Sequence, residues 1–114
     1  MEVREISTDL YSDPETGLLQ EEAIRIYPNP FTGIQEISYL LPGDAEVSID
    51  VYNVLGAKIR TLAKTNQAAG VHSLQWDGRD QHHSVIPAGI YIIRFVYTSA
   101  RDVMIQERKV VYTY

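Results

Sequence analysis

From Ile24 to the end of the chain, apolar and polar residues alternate with a period of two, and short turn signals interrupt the runs. In ISYLL, Ile37, Tyr39 and Leu41 alternate with Ser38 and Leu40. In EVSIDVYNV, Val47, Ile49 and Val51 point one way, and Ser48 and Asp50 the other. Leu74 and Trp76 share a face in HSLQWD. Tyr91, Ile93, Phe95 and Tyr97 share one in YIIRFVY, as do Val110, Tyr112 and Tyr114 at the end. This periodicity marks strands with one buried face, and their β-branched and aromatic content suits a pleated surface. Pro42-Gly43-Asp44, Leu55-Gly56-Ala57, Ala69-Gly70 and Pro87-Ala88-Gly89 punctuate the runs and supply turn chemistry. No window forms a good amphipathic helix; Gln20 to Ala23 makes one turn at most. Short strands separated by turns every dozen or so residues predict an all-β, Ig-like antiparallel β-sandwich of about seven strands. Its expected core holds Ile37, Tyr39, Val47, Ile49, Val51, Trp76, Tyr91, Ile93 and Phe95.

The bulk properties narrow the function. At 114 residues, 45% of them apolar, the chain has the size and composition of one folded domain. A net charge of −5 without a lysine or arginine run repels phosphate backbones, which argues against nucleic acid as a partner. The absence of cysteine removes disulfides, thiolate nucleophiles and zinc–thiolate centres. No apolar run reaches the roughly 20 residues of a transmembrane segment. The opening MEVREISTDLY lacks the basic-then-apolar layout of a signal peptide, and the sequence reads as a piece of a longer protein. In the first 22 residues, SDPETG (12–17) is a turn cluster, and VREISTDLY before it is an edge strand or a tail. The domain boundary is expected near Glu22, giving residues 1–22 as a linker and 23–114 as the domain.

The densest polar stretch is WDGRDQHHS, where Asp77, Asp80, His82 and His83 invite a metal reading. Adjacent histidines diverge in extended or turn backbone, and zinc sites draw on three or four ligands supported by further hydrogen bonds. DGRD also lacks the oxygen ladder of a calcium loop. The expectation is that both aspartates build turns, Gly78 takes positive φ and the histidines are solvated. His72 shares a strand face with Leu74 and Trp76 and reads as a partly buried rim residue, with no serine or carboxylate at catalytic spacing. Glu21-Glu22 is a solvated pair, unlike a glycosidase dyad across a cleft. Tyr11 and Tyr52 are candidates for a sugar platform. No catalytic constellation emerges, so the chain reads as a non-enzyme that needs no cofactor or metal.

The order of the motifs adds a further indication: IYPNPF (26–31), ISYLLP, VSIDVYNVLGAKIRTL, AGVHSLQWDGRD, PAGIYIIRF and ERKVV. In YPNP, Pro28 and Pro30 are expected to hold an extended, non-pairing segment. Asn53 and Gly56 make the turn in VYNVLGAKI, and Gly89 admits close backbone approach before Tyr91, whose hydroxyl needs a partner. Over residues 24–114 this series resembles the C-terminal sorting domain of proteins exported by the type IX secretion system of Bacteroidetes-type bacteria. It is almost equally similar to the Ig-like domain of the flagellar hook-capping protein. The sorting resemblance implies a non-catalytic domain that directs a parent passenger protein, lying N-terminal to it, through the periplasm to secretion or the cell surface. It implies the type IX machinery and its sortase-like protease as partners, and Gly56, Gly89, Tyr91, Lys109, Val110 and Val111 as the residues of the sorting signal. Recognition would use a folded domain with an exposed terminal strand, whose edge offers backbone partners. Tyr112-Thr113-Tyr114 departs from the short polar or basic close of that family. The other reading is a structural or interaction module, either a hook-cap-like assembly domain or a carbohydrate-binding sandwich.

Overall fold

The computed structural model describes residues 24–114. The expected linker, the SDPETG turn, the VREISTDLY strand, Tyr11, Glu21-Glu22 and the boundary near Glu22 lie outside the described residues. Seven strands follow in chain order: β1 (Ile24–Tyr27), β2 (Gln35–Leu41), β3 (Ala45–Asn53), β4 (Lys58–Gln67), β5 (Gly70–Trp76), β6 (Gly89–Thr98) and β7 (Val103–Tyr112). They form two antiparallel sheets, β1-β2-β5 and β4-β3-β6-β7. This is the Ig-like β-sandwich that the alternation predicts.

The core is the set of inward positions from both sheets. Ile37, Tyr39 and Leu41 on β2 oppose Val47, Ile49 and Val51 on β3 and Tyr91, Ile93, Phe95 and Tyr97 on β6, all buried together with Trp76. Every residue of the expected core is in it. Burial of these side chains stabilises the fold by about 1.5–3 kcal/mol for each large one. The only polar side chains among the buried residues described are Gln35 and Asp50. Asp50 lies beside a register shift in β3 and accepts the Thr61 hydroxyl at 2.7 Å.

Three local expectations are corrected. Val110 and Tyr112 are buried, but β7 ends at Tyr112 and Tyr114 is 86% exposed; the alternation continues past the last ladder position. YPNP is not an extended, non-pairing segment, because Tyr27 pairs with Glu36 in β1 and the chain then bends through residues 28–30 into a pairing of Phe31 with β7. Gly89 is not a close-approach glycine, since a Cβ there would meet nothing within 4 Å. Its φ of +152° is what side chains disfavour. Close approach occurs instead at Gly78, where φ is +72° and a Cβ would come within 3.0 Å of the Tyr112 ring.

Candidate functional site

The loops 28–34, 54–57 and 77–88 gather with the C-terminus at one end of the sandwich. There YPNPF meets the end of β7. Asn29 donates its side-chain amide to the Lys109 carbonyl at 3.0 Å and accepts the Val111 N–H at 2.9 Å. One asparagine side chain thus takes the place of a strand partner. Phe31 continues the seam: its N–H donates to the Val111 carbonyl, and its carbonyl accepts the Thr113 N–H, both at 2.9 Å. The Phe31 ring is buried between Trp76 and Tyr112, at centroid distances of 5.2 and 5.1 Å. Sequence reasoning missed this seam because its partners lie 80 and 82 residues apart.

The six residues tied to the sorting resemblance are distributed around this end of the fold. Lys109 is exposed on β7, Val111 is half-buried and Val110 is in the core. Tyr91 is buried, and its hydroxyl donates to the Pro87 carbonyl at 2.6 Å. Burial, with the neighbouring Tyr114 and Tyr112, holds that hydroxyl above the usual tyrosine pKa. Gly89 opens β6 opposite Tyr112, and Val110 and Val111 pair with Tyr91 and Ile90, so Gly89, Tyr91, Val110 and Val111 form one patch of ladder. Gly56 stands apart, exposed in the β3–β4 hairpin, with φ at +86°. The Asn53 carboxamide oxygen closes that hairpin, accepting from the Leu55 and Ala57 N–H groups at 3.0 Å. The terminal strand is less open than expected, because Asn29 and Phe31 already pair its outer edge from Lys109 to Thr113.

The polar stretch after Trp76 is built as a connecting loop. Asp77 accepts the Arg79 N–H and binds the Arg60 guanidinium at 2.6 Å, while Asp80 accepts the N–H groups of His82 and Ser84. Both aspartates therefore make turns, and His82 and His83 are exposed. His83 also takes positive φ, at 68°, which the sequence did not signal. Among the described residues, no group of three or more His, Cys, Asp or Glu side chains comes together. The loop also covers the edge of β4: the Gln81 N–H donates to the Ile59 carbonyl at 2.9 Å, and the Gln81 side chain accepts the Thr61 N–H at 3.0 Å. His72 is half-buried, as expected, and stacks on Tyr39 at 5.6 Å. Tyr52 is half-buried.

The backbone bond from Ser84, with a smaller one from His82, holds the Asp80 carboxyl below the usual aspartate pKa. A carboxylate depressed in the folded state stabilises it fully above the unfolded pKa of about 3.9, and the contribution is lost as pH falls through the lower folded value. The Ser84 and His82 amide shifts should therefore titrate together with a midpoint below about 3.9. Asp80→Ala should abolish that transition, and a midpoint at or above the ordinary value would contradict the turn's role.

Two stacked antiparallel sheets, with loop residues hydrogen-bonded to the last strand, define the chain as an Ig-like β-sandwich. Its family follows from the sequence: the model of the FlgD Ig-like domain matches residues 29–101, more than half of the chain, and the chain belongs to that family. The match ends before β7 begins. Comparison with curated protein sequences finds no match. Among solved structures, dimeric latent PorU from Porphyromonas gingivalis is similar with a TM-score of 0.66 and 16% identity, covering 79% of this chain and 9% of PorU. FlgD from P. aeruginosa is similar at 0.56 and 21% identity, covering 77% of this chain and 72% of that one. PorZ, described as an essential surface component of the P. gingivalis type IX secretion system, gives 0.52 and 14%, with 82% of this chain and 12% of PorZ covered. At these identities the likeness is one of fold. The chain spans less than a tenth of PorU's length.

Proposed function

We propose that this domain is a non-catalytic sorting module, residues 23–114, that directs its parent protein through the type IX system to the cell surface after transit through the periplasm. The observation that supports it best is the seam, which links YPNPF to Lys109-Val110-Val111, the first and last motifs of the sorting resemblance. The ending is thereby held as part of a folded surface. Within this reading the machinery contacts the exposed Lys109 and half-buried Val111, with the Gly56 hairpin presented at the same end. Gly89, Tyr91 and Val110 act through the fold that displays them. The partners are the secretion machinery, its sortase-like protease and a passenger N-terminal to the domain. The fold shared with PorU and PorZ agrees with this assignment.

The second reading, a hook-cap-like assembly module, is favoured by the family match and by the FlgD structures. A second FlgD, from Xanthomonas campestris and described as giving insight into the hook capping essential for flagellar assembly, is similar with a TM-score of 0.52 and 21% identity, over 78% of this chain and 61% of that one.

The two readings part on one substitution. Deleting the terminal residues would remove Val110 and Tyr112 from the core, so loss of export would not separate recognition from misfolding. Lys109→Glu changes an exposed side chain instead. The whole chain, fused behind a periplasmically targeted fluorescent protein in a type IX-competent host, should reach the surface. Lys109→Glu should lower display about tenfold, as expected for loss of one charged contact worth roughly 1.4 kcal/mol, without changing the melting temperature. Undiminished display, or no display of the parent fusion, would transfer the assignment to the assembly module.

A further inference from the structure

An exposed turn between strands ordinarily draws on Asn, Asp, Ser, Gly or Pro. The β3–β4 turn instead reads Val54-Leu55-Gly56-Ala57, four residues without a polar side chain. Val54 is 67% exposed and Leu55 89%, so neither contributes to the core. The turn holds its shape without them. The Asn53 carboxamide oxygen accepts the Leu55 and Ala57 N–H groups, and the Asn53 carbonyl accepts the Gly56 N–H, all at 3.0 Å. Those three donors need nothing from water, a condition for entering an apolar medium. Among the described residues, seven of the eleven exposed large apolar side chains lie at this end of the sandwich, a concentration that marks a contact surface.

Behind the tip, the outer face of the four-stranded sheet is layered. The exposed Ile90 pairs with the half-buried Val111. The next row crosses all four strands as Lys58, Tyr52, Ile92 and Lys109. Both lysines are exposed, and Tyr52 and Ile92 are half-buried. A lysine thus stands on each side of an aromatic and aliphatic centre, in a row about 14 Å wide. One row further back the charges are paired, with Arg94 3.8 Å from Glu107 and Asp50 3.7 Å from Lys58. The polar loop after Trp76 meets β4 at Ile59 and Thr61, on the other side of Lys58 from the tip.

We infer that this end docks on an anionic lipid bilayer, with Val54 and Leu55 inserted at the boundary between headgroups and acyl chains and with Lys58, Tyr52 and Lys109 at headgroup level. The order of the layers selects lipid. A bilayer surface takes apolar side chains deepest, tyrosine and lysine next, and paired or hydrated charges outside. A protein pocket imposes no such order, and a second copy would bring the same projecting tip and the same two lysines. The depth also fits. Leu55 lies three residues beyond Tyr52, roughly 10 Å of extended chain, and interfacial elements insert by about 5–10 Å. The chain's negative charge comes from its first 23 residues: seven of fifteen acidic residues and one of ten basic ones precede Ile24, so residues 24–114 carry nine basic to eight acidic. Two side chains insert less apolar surface than one myristoyl chain, whose binding constant is about 10⁴ M⁻¹, so docking is weak, on the order of 10³ M⁻¹ in accessible lipid.

Co-sedimentation of the whole chain with vesicles of equimolar phosphatidylglycerol and phosphatidylcholine reads the docking directly. Half of the protein should sediment near about 1 mM accessible lipid, and phosphatidylcholine alone should bind it several-fold less. Leu55→Asp should lower binding at least about tenfold with an unchanged melting temperature. Val71→Asp makes the same change of charge at a side chain 76% exposed on β5, away from the tip, and should bind like the parent. In Leu55→Trp the added indole should shift its emission to the blue on vesicles and be quenched by lipids brominated on their acyl chains. A parent chain left in the supernatant at about 5 mM lipid would overturn the inference and hand the tip to a protein pocket. Equal losses in Leu55→Asp and Val71→Asp, no preference for the anionic vesicles, or a Leu55→Trp emission untouched by brominated lipid would each overturn it too. The assay contains no secretion component, so its outcome is separate from that of the export assay.

Discussion

Replacing Trp76 with alanine should destabilise the domain by about 3–5 kcal/mol, the range for emptying a buried tryptophan site. The total stability of a domain this size is about 5–15 kcal/mol, so the variant should be largely unfolded or have its melting temperature lowered by well over 10 °C, at roughly 4–8 °C per kcal/mol. The cost has several sources. Trp76 is fully buried at the end of β5, packs on Phe31 and meets Tyr91 edge-on at 6.2 Å. Its indole N–H donates to the Arg79 carbonyl at 3.0 Å, tying the 77–88 loop to the core. Removing the ring leaves a cavity in the core and takes from that carbonyl one of its two donors, the other being the Arg60 guanidinium at 3.2 Å. Chemical denaturation read by far-UV circular dichroism measures the loss. A change below about 1 kcal/mol would mean that the core is held elsewhere.

What the sequence revealed and what it hid follow from how far each signal reaches along the chain. β2, β3 and β6 were legible because each buries one face, and burial writes itself into alternate residues. β4 was harder: KIRTLAKTNQ is an edge strand whose positions are half-buried or exposed, so polar residues occupy both faces and the alternation fades. The aspartate turns after Trp76 were legible because Asp77 and Asp80 bond N–H groups two to four residues ahead. The covering of β4 by Gln81 and of β7 by Asn29 was not. Those bonds join residues about 20 and 80 positions apart, and nothing local marks a glutamine or asparagine as the partner of a distant strand. The same limit applies to the residues tied to the sorting resemblance. A motif comparison names Tyr91 and Val110 beside Lys109, but only the fold separates the two that fill the core from the one that faces solvent.

Phe31→Ala and Asn29→Ala together test whether YPNPF is the clasp that holds the C-terminal strand. Phe31 is 1% exposed, and its removal should cost about 3–5 kcal/mol, as for other buried aromatics. Asn29 supplies no core volume. Its loss deletes two hydrogen bonds to β7, each worth about 0.5–1.5 kcal/mol, for a total near 1–3 kcal/mol. The variants should differ in kind as well as size. Phe31→Ala removes packing shared with Trp76 and Tyr112, so amide exchange should accelerate throughout the domain. In Asn29→Ala the rings stay in place, so the acceleration should exceed the global change at one amide, Val111, whose N–H has lost its acceptor, while the β3–β6 ladder follows global unfolding. If the clasp is what presents Lys109 and Val111, Asn29→Ala should also weaken export at a temperature where the domain is still folded. Wild-type exchange at Val111 in Asn29→Ala would show that the Asn29 side chain does not guard this edge, leaving the Phe31 backbone pairing and the β6–β7 ladder to fix the terminal strand.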